Sequence, residues 1–500
     1  MRALLRLGLA LAVPCACDTR LPAQPDASIH ADPPDLAGGA SSPSSAPVLQ
    51  FHGSATRDGV YVDPAMTAKA AAAIHGDATF SVTLPGQVYA QPLWVTNGPG
   101  QKEAFVVATE SNHVIAIGAK GEVLWDRGYG AAASAGLPCG NIAVGGATLG
   151  ITGTPVIDAA SRTIYFDAMT RAGGSAPRHL IHAVSIDDGA ERPGGWPVDV
   201  SSAVPGFDSP HQNQRGALLL LDGIVYVPYG GHFGDCLPYY GWVVGVNVAS
   251  PSSVQAWRAA GPPTWNTRPP VGAAGIWATG GLASDGSYVY AATGNSMNGG
   301  FASTPSWVGG DAVFKLAAGP KFSNETTDYY YPSNWRTLDE RDTDLGGANP
   351  VLVDMPGAPY PHVVVVLGKD GKIYHLNRDD LGGQDGALFV GTVADGAVNS
   401  SAAAYTTPRG TYVAFRTSGR AHGCANGGNL GVAKIRPDKP PTASVVWCSR
   451  SSSLGSPIVT TPDGKSSFVV WDASTRLYGY DGDTGALVFD GDKDPGDAMP

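Results

Sequence analysis

The apolar residues of this chain fall in short runs of four to seven, with glycine, proline and polar residues between them. Runs of this length that are rich in β-branched and aromatic residues predict strands. A strand-opening motif recurs seven times at intervals of 54 to 69 residues, with copies that begin at Gly86, Gly150, Arg215, Gly275, Asp344, Val398 and Ser453. The chain is therefore predicted to repeat one β-unit along its length.

Each repeated unit continues with further strands. A second strand such as AFVVAT precedes a third such as HVIAIG, and several units close with a short outer strand such as GEVLWD. Four strands per unit and seven visible units predict an all-β fold, a β-propeller of four-stranded blades. A helical solenoid is excluded because glycine or proline interrupts the apolar runs after four to seven residues.

The two ends of the repeat leave the number of blades open. Residues Phe80–Leu84 (FSVTL) resemble an outer strand that lacks a blade of its own. The seventh unit already has an outer strand at Ala486–Phe489, so FSVTL would belong to an incomplete eighth blade, which is the interpretation that we favour. A ring of seven blades with an idle N-terminal strand is the alternative.

The composition agrees with this fold and excludes several others. The 500 residues include 67 Gly and 40 Pro, a density that would break helices every few turns and so excludes a coiled coil or a helix bundle. Only 15% of the residues are charged, and the formal net charge is -11. A nucleic acid partner is excluded because a phosphate-binding surface needs clustered lysines and arginines, which this sequence lacks.

The first residues have the pattern of an export signal. Arg2 and Arg6 flank the apolar stretch Leu4–Val13, which is far shorter than the roughly 20 residues that span a bilayer. Cys17 follows Ala16, as in lipid-anchored secretory signals, where the cysteine becomes the acylated first residue. An ordinary cleaved signal is the alternative, because the residues before Ala16 depart from the lipoprotein pattern.

The predicted export signal and the repeats divide the chain into three parts. Residues 1–17 are assigned to a lipoprotein-type signal, residues 18–48, rich in Pro, Ala and Ser, to a flexible tether, and residues 49–500 to the propeller. The expected location is the periplasm or cell envelope, with secretion as the alternative. The predicted contact with a membrane is the lipid anchor on Cys17 alone.

The cysteines of the exported part are expected to form disulfides. Cys139, Cys236, Cys424 and Cys448 make an even set in an oxidising compartment, where disulfides outnumber metal sites. Pairing Cys424 with Cys448 would be local, and pairing Cys139 with Cys236 would join two neighbouring loops. The sequence contains no CxxC and no CxxCH, so neither a zinc knuckle nor a covalently attached haem is supported.

Several phrases carry a resemblance to a known family. GQVYAQPLWV, GITGTPVID, GKDGKIYHLNRDDLGG and RLYGYDGDTGALVF resemble the PQQ-like β-propeller repeat family, the superfamily of quinoprotein alcohol dehydrogenases. The resemblance covers roughly residues 80–491 and is specific for the fold. The family's Asp, then Thr-Gly, turn is well kept at Asp481–Gly485, where Phe489 stands at the place of the usual outer-strand tryptophan.

In such blades, the connections from one blade to the next and from the second strand to the third emerge on one face of the ring. Most of the long predicted loops belong to this set, so we call this the long-loop face and the opposite one the short-turn face.

The family resemblance implies a quinone, PQQ, bound at the centre of the long-loop face. Trp277 would stack on the quinone, and Arg215 and Lys369 would bind its carboxylates.

The same resemblance implies a metal ion and a base. A hard cation such as Ca²⁺ would polarise the quinone carbonyl, and its candidate ligands are Asp344, Asn295 and Asn399. Asp344 is also the candidate general base for hydride removal from an alcohol or sugar. The structural alternatives are that Trp277 fills the core between blades and that the acidic run around Asp344 is a solvated loop.

Departures from the dehydrogenases shift the functional prediction. Those enzymes carry a vicinal cysteine pair over the cofactor and often a haem domain, and this sequence has neither among its exported residues. Whether the chain is an enzyme stays open. We expect a binding or scaffolding module for a protein or cell-envelope partner, similar in kind to the lipid-anchored PQQ-like propeller of the outer-membrane assembly machinery. A PQQ- and Ca²⁺-dependent dehydrogenase is the alternative, followed by an unrelated enzyme that acts on polysaccharide.

A partner surface would need exposed aromatic residues, because tyrosine and its relatives are enriched where proteins bind one another. The aromatic candidates predicted on the long-loop face are Phe233, Tyr239, Tyr240 and Tyr329–Tyr331.

Overall fold

Seven sheets of mainly antiparallel strands follow one another along the chain in the computed structural model. The structure describes residues 46–77, 79–133, 137–138, 148–171, 173, 175–233, 236–260, 272–297, 304, 306–425, 427–450, 455–473 and 476–491. Each sheet has the strand order of a propeller blade, from an innermost first strand to an outermost fourth one. The predicted all-β propeller of four-stranded blades is therefore confirmed, and the described residues contain seven blades.

The first strand of the chain, β1 (Val60–Val62), precedes all the blades. Blade 1 consists of β2 (Leu93–Val95), β3 (Ala104–Ala108), β4 (His113–Gly118) and β5 (Val123–Gly128). Blade 2 consists of β6 (Val156–Asp158), β7 (Thr163–Thr170), β8 (Arg178–Ser185) and β9 (Val198–Asp199). Blade 3 consists of β10 (Gln212–Asn213), β11 (Leu219–Leu221), β12 (Ile224–Gly231), β13 (Trp242–Asn247) and β14 (Val254–Arg258).

The later blades follow the same plan. The two-stranded pair of β15 (Gly272–Ala273) and β18 (Ser296–Met297) accompanies blade 4, which consists of β16 (Ala283–Ser284), β17 (Val289–Ala292), β19 (Val313–Leu316), β20 (Tyr329–Tyr331) and β24 (Gly383–Gln384). Blade 5 consists of β21 (Val351–Asp354), β22 (His362–Leu367), β23 (Lys372–Asn377) and β25 (Phe389–Thr392). Blade 6 consists of β26 (Ala403–Thr407), β27 (Gly410–Arg416), β28 (Leu430–Arg436) and β29 (Thr442–Ser449). Blade 7 consists of β30 (Ile458–Thr461), β31 (Val469–Ala473), β32 (Leu477–Asp481) and β33 (Leu487–Asp490).

Helices are short in the described part of the chain. They are α1 (Ala68–Ala71), α2 (Val200–Ala203) and α3 (Trp335–Arg341), with single 3-10 turns at Pro99–Gln101, Ser209–His211, Thr326–Asp328 and Leu345–Gly347. Among these described helices, none has the length and apolar character needed to cross a bilayer.

The middle strands of each blade are buried on both faces, because each face is covered by a neighbouring blade or, where blades 7 and 1 meet, by residues of the segment 63–84. In β3 all five residues are buried, and their side chains alternate between two environments. Ala104 and Val106 pack towards blade 2, whereas Phe105 and Val107 pack on the other side of the sheet. Such a strand appears in the sequence as a continuous apolar run, without the alternation of polar and apolar residues that marks a strand with one exposed face.

Six continuous apolar clusters join blade 1 to blade 2 and so on to blade 7. The seam between blade 7 and blade 1 is built differently, around residues 63–84, which we call the wedge segment. Met66 and Ala71 pack on Trp471 and Phe489 of blade 7. Phe80 packs on blade 1, with its ring centre 6.1 Å from that of Phe105.

The wedge segment corrects the prediction for Phe80–Leu84. These residues are not a strand, and they do not begin an eighth blade among the described residues. Phe80, Val82 and Leu84 instead lie on the face of blade 1 that no other blade covers. The seven-bladed alternative is the one that the described residues show.

Residues 48–62 run inside the ring, and we call them the axial segment. The N–H groups of Ile157, Leu352 and Ala404, on the first strands of blades 2, 5 and 6, donate to its carbonyls at 2.8 to 2.9 Å. Val48 forms a bridge with Trp94 in blade 1, and β1 pairs in parallel with β30 of blade 7. Because the first strands line the central channel, a segment bonded to them around the ring must lie within that channel.

Candidate functional site

Three residues predicted to bind a quinone, Arg215, Trp277 and Lys369, come together on the long-loop face with Asp344, the predicted base and calcium ligand. Nε1 of Trp277 donates a hydrogen bond to Oδ2 of Asp344 at 3.0 Å, and the same oxygen lies 3.2 Å from Nζ of Lys369. The guanidinium carbon of Arg215 lies 5.2 Å from the centre of the Trp277 ring, and Nζ of Lys369 lies 4.9 Å from it. Both distances are typical of cation–π contacts. We call these four residues the tryptophan cluster.

The propeller topology explains why these residues meet. Arg215 and Trp277 precede the first strands of blades 3 and 4, and Asp344 precedes the 3-10 turn that leads into blade 5. Lys369 lies in the turn between β22 and β23, and its backbone N–H donates to the carbonyl of Asp344 at 2.8 Å. Both kinds of connection emerge on the long-loop face close to the ring axis.

The ammonium of Lys369 is paired with two carboxylates, one in the tryptophan cluster and one beside it. Nζ of Lys369 lies 2.7 Å from a carboxylate oxygen of Asp342 as well as 3.2 Å from Asp344. Burial lowers the pKa of Lys369, but the carboxylates of Asp344 and Asp342 outweigh burial and leave this pKa above its usual value. Lys369 is therefore charged at neutral pH.

Two further carboxylates lie beside the cluster: Asp311, which sequence reasoning missed, and Asp339, which belongs to the acidic run predicted as a solvated loop but is buried. Asp311 is fully buried, and its Oδ1 accepts the backbone N–H of Leu345 at 2.9 Å. Oδ1 of Asp339 accepts the N–H of Ser296 at 2.8 Å. Burial, together with the nearby carboxylates of Asp344 and Asp339, raises the pKa of Asp311 well above its usual range. The only sequence signal was an aspartate directly before a third strand, which the pattern does not distinguish from a turn.

The predicted calcium ligands lie in different environments. Asp344 and Asn295 are buried, whereas Asn399 is exposed in the loop before blade 6. Within the described ranges, no group of three or more His, Cys, Asp or Glu side chains is arranged to hold a metal ion. The assignment of Asp344, Asn295 and Asn399 to a calcium site stays a prediction, as does the role of Asp344 as a base.

The tryptophan cluster fits a stacked quinone poorly. A planar ring that stacked on Trp277 beneath Arg215 or Lys369 would have to displace that cation from the indole. Lys369 is already neutralised by two carboxylates, and Asp344 already accepts the indole N–H. The groups that would bind a cofactor are thus engaged with one another.

A cavity of about 370 Å³ opens elsewhere on the long-loop face, between blades 2 and 3. Its walls are formed by the loop before β8 and by the segment that follows α2, and the lining residues are Ala176, Pro177, Arg178, Ser201, Gly206, Phe207, Asp208, Ser209 and Pro210. This volume lies within the range of about 300 to 1,000 Å³ that is usual for small-ligand sites.

The cavity rests on a buried polar network. Nδ1 of His179 lies 2.6 Å from Asp167, and Nε2 of His179 lies 3.0 Å from the carbonyl of Gln212. The hydroxyl of Tyr229 donates to Asp167 at 2.8 Å, and the N–H of His179 donates to Ser209 Oγ at 3.2 Å. Although burial lowers the pKa of His179, Asp167 and the Gln212 carbonyl raise it above its usual value. This network holds the cavity floor in place.

Exposed aromatic residues on the long-loop face are fewer than predicted. Phe233 is 76% exposed, and its neighbour His232 reaches the cavity through a 2.9 Å contact from Nε2 to the carbonyl of Pro210. Tyr239 and Tyr330, in contrast, are buried, which corrects their predicted place on an aromatic rim.

The remaining rim tyrosines are also engaged in contacts with the body of the protein. Tyr331 stacks on Trp307 with ring centres 3.7 Å apart, and Tyr329 stacks on the same indole at 5.4 Å. Tyr240 lies under the guanidinium of Arg258, whose carbon is 4.5 Å from the ring centre. Sequence reasoning did not single out Tyr89, which is 46% exposed just before blade 1.

One predicted disulfide is present. Cys424 is bonded to Cys448 within blade 6, as the local pairing predicts. The second predicted pair stays a prediction because Cys139 lies outside the described residues, as does the predicted anchor at Cys17.

Comparison with known proteins supports the fold. No family model and no curated protein matches the chain. A quinohemoprotein alcohol dehydrogenase from Pseudomonas putida HK5 matches with a TM-score of 0.58 over 89% of this chain and 72% of that one, at 13% identity. A europium-containing methanol dehydrogenase matches with a TM-score of 0.57 over 88% and 84% of the two chains, also at 13% identity. BamB from Moraxella catarrhalis covers 68% of this chain and 73% of its own at 15% identity, but its TM-score of 0.37 is too low to carry an argument.

These similarities define the class of the protein by its fold. The chain is a β-propeller whose fold is similar to that of these two dehydrogenases, as its repeats suggest. Identities of 13% show the fold alone and assign no activity.

Proposed function

We propose that this protein is an exported, lipid-anchored binding module that holds a protein partner on its long-loop face and does not use the quinone of its structural neighbours. The observation that carries this proposal is the tryptophan cluster. Asp344 already binds both the indole of Trp277 and the ammonium of Lys369. A cofactor would have to break these contacts around the buried carboxylate of Asp344, where leaving a charge unpaired is costly.

The partner surface is proposed to lie over blades 1 to 3. Among the residues that the structure describes there, Phe233 and Tyr89 are exposed aromatic side chains, at 76% and 46% exposure, and the 370 Å³ cavity lies on blades 2 and 3. An exposed aromatic side chain beside a rigid concave site is typical of an interface whose centre is buried on binding. The His232 contact to Pro210 connects Phe233 to the cavity wall.

The first test is a titration of the purified protein with PQQ and Ca²⁺, followed by tryptophan fluorescence. We expect no saturable quenching at micromolar PQQ, with the fold verified by circular dichroism. Saturable, Ca²⁺-dependent quenching that disappears in Asp344→Ala would contradict the proposal and would support a dehydrogenase. Alcohol- or sugar-dependent dye reduction by the loaded protein would then identify the substrate class.

The second test is site-specific photocrosslinking in the native host. A photoreactive residue at Phe233 is expected to trap one discrete protein partner, and Phe233→Ser is expected to abolish its co-purification. Val446, which is 46% exposed on the outer strand β29, is the matched control position on another part of the surface. Equal trapping from both positions would argue against a partner site on the long-loop face.

A further inference from the structure

The inner wall of the ring presents a circle of backbone donors to the axial segment. Each of these groups lies on the first strand of a blade and would lose its partner if the segment left the channel. The donors are the N–H groups of Trp94, Ile157, Ser284, Leu352, Ala404 and Val459. They belong to blades 1, 2, 4, 5, 6 and 7. The axial segment is therefore bound mainly through its backbone, as in strand addition to a sheet edge.

Blade 3 is reached by a side chain. Arg57 is fully buried, and its NH2 group donates to the carbonyl of Leu218 in blade 3 at 2.8 Å. Its Nε donates to the carbonyl of Leu282 in blade 4 at 2.8 Å. Three further oxygens, on Gln50, Phe51 and Ser54, accept from NH1.

All five described acceptors of Arg57 are carbonyl oxygens. Burial lowers the pKa of Arg57 to about 9, so the side chain stays charged at neutral pH. A fork of N–H groups that fits converging carbonyls is specific for a guanidinium, and a lysine ammonium cannot reproduce it.

The axial segment enters and leaves the channel on the same side. Val48 runs antiparallel to β2, whereas β1 runs parallel to β30. The first strand of every blade runs from the long-loop face to the short-turn face. The chain therefore rises into the channel from the short-turn face, turns around Arg57 and returns to the short-turn face at Asp63.

We propose that the axial channel is a peptide-binding site whose ligand is this chain's own segment 48–62, recognised by its extended backbone and by one arginine, and held without the help of the peptide bond that joins it to the ring. This inference goes beyond the partner site, which lies on the opposite face. It implies that the channel is closed from the short-turn side by a bound peptide.

The test is to cut the folded protein between the two halves of the wedge segment. His75, Gly76 and Asp77 are exposed and lie between the cluster on blade 7 and the cluster on blade 1, so a protease site inserted there separates the axial segment from the ring. After cleavage of the folded full-length chain, the N-terminal fragment is expected to co-elute with the ring in gel filtration at micromolar concentration. A labelled synthetic peptide of residues 46–62 is expected to exchange into the cut protein and not into the uncut one.

Variants in the fragment test the recognition. Arg57→Met is expected to weaken retention of the fragment at least tenfold, whereas Lys69→Met, at an exposed position in α1, is expected to leave it unchanged. If Arg57→Met does not fold before cleavage, Arg57→Lys keeps the charge without the fork and is expected to weaken retention. Release of the wild-type fragment from a folded ring, unfolding of the cut protein, or full retention of the Arg57 variants would each overturn the proposal.

Discussion

Glu110 is a buried carboxylate that lies two residues after the end of β3. Its two carboxylate oxygens accept the N–H of Gly150 at 2.6 Å and the hydroxyl of Thr152 at 2.7 Å. Burial nevertheless raises the pKa of Glu110 to about 7, and these two bonds offset only part of that rise. The side chain therefore titrates close to neutral pH while it holds the loop before blade 2.

The Glu110 pKa predicts a stability that falls as the pH rises. The unfolded group ionises at its ordinary pKa of 4.5 and the folded group near 7, so between these values the folded state binds the extra proton. The free energy of unfolding should decrease by about 3 kcal/mol over this window on account of Glu110. Urea unfolding from pH 4.5 to 8 should show this decrease in the wild type and a flatter profile in Glu110→Gln. The exposed Glu122→Gln is the control, and an unchanged profile in Glu110→Gln would contradict the argument.

The pairing of Asp344 with Lys369 predicts a measurable coupling. Asp344→Asn and Lys369→Met each leave one member of a mostly buried ion pair without the other, so the double variant should lose less stability than the sum of the two single variants. We expect a coupling of about 1 to 3 kcal/mol from a double-mutant cycle. The exposed pair of Arg420 and Asp395, 3.3 Å apart, is the control and should give below about 1 kcal/mol. Equal couplings would mean that the tryptophan cluster is as solvated as the surface.

At the level of elements, strands are easier to predict from this sequence than the segments that pack against them. The repeated apolar runs predict the blades because each middle strand is covered on both faces. The tryptophan cluster could be anticipated because Arg215, Trp277 and Asp344 all precede first strands, and a propeller brings such positions together. The strand prediction for Phe80–Leu84 is wrong, because Phe80 is buried and Val82 and Leu84 are partly buried against blade 1 without forming a strand of its sheet.

Other features gave no usable pattern. The axial segment binds through backbone carbonyls and one arginine, and neither produces a hydrophobic period in the sequence. Asp311 acts through burial and proximity, which depend on the packing of blades 4 and 5 and not on local spacing. Asp339 belongs to the acidic run that the sequence assigns to a solvated loop, and it is buried by the same packing. Tyr239 and Tyr330 were placed on the surface by their loops and edge strands, whereas packing buries them.

The disulfide in blade 6 ties an element that is already paired. Cys424 precedes β28 and Cys448 lies near the end of β29, with a sequence separation of 24. Closing a loop of this length stabilises a protein by about 3 kcal/mol in the chain-entropy model. Replacing both residues by serine should therefore lower the unfolding free energy by about 2 to 4 kcal/mol. A denaturant titration of the variant and the wild type without reductant checks this value, and a change below about 0.5 kcal/mol would show that pairing of β28 with β29 already suffices.

At the level of the whole molecule, the proposed anchor and the proposed partner surface lie at opposite ends. The axial segment enters the ring from the short-turn face, whereas the cavity and Phe233 lie on the long-loop face. A tether that continues from residue 46 towards Cys17 would leave the partner surface facing away from the membrane.

The anchor itself is open to a direct test. Labelling of the native host with a fatty-acid analogue should mark the wild-type protein and not Cys17→Ser, and the variant should move from the membrane fraction to the soluble periplasmic or secreted fraction. Cys15→Ser is the matched control, because only one of the two neighbouring cysteines can become the acylated first residue. Equal labelling of Cys17→Ser and the wild type would contradict a lipid anchor at Cys17.

The seam between blades 7 and 1 should be the weakest part of the ring. Each of the six other seams is one continuous apolar cluster, whereas this seam consists of two smaller clusters on either side of the wedge segment. Local opening follows the least buried contacts, so native-state hydrogen exchange should give lower opening free energies for β2–β5 and β30–β33 than for β11–β14. Met66→Ala should lose about 2 to 5 kcal/mol of stability and lower protection chiefly in β30–β33. Leu219→Ala, in the cluster between blades 3 and 4, should instead lower protection there. Uniform protection around the ring in the wild type would mean that the wedge segment closes it as tightly as a blade does.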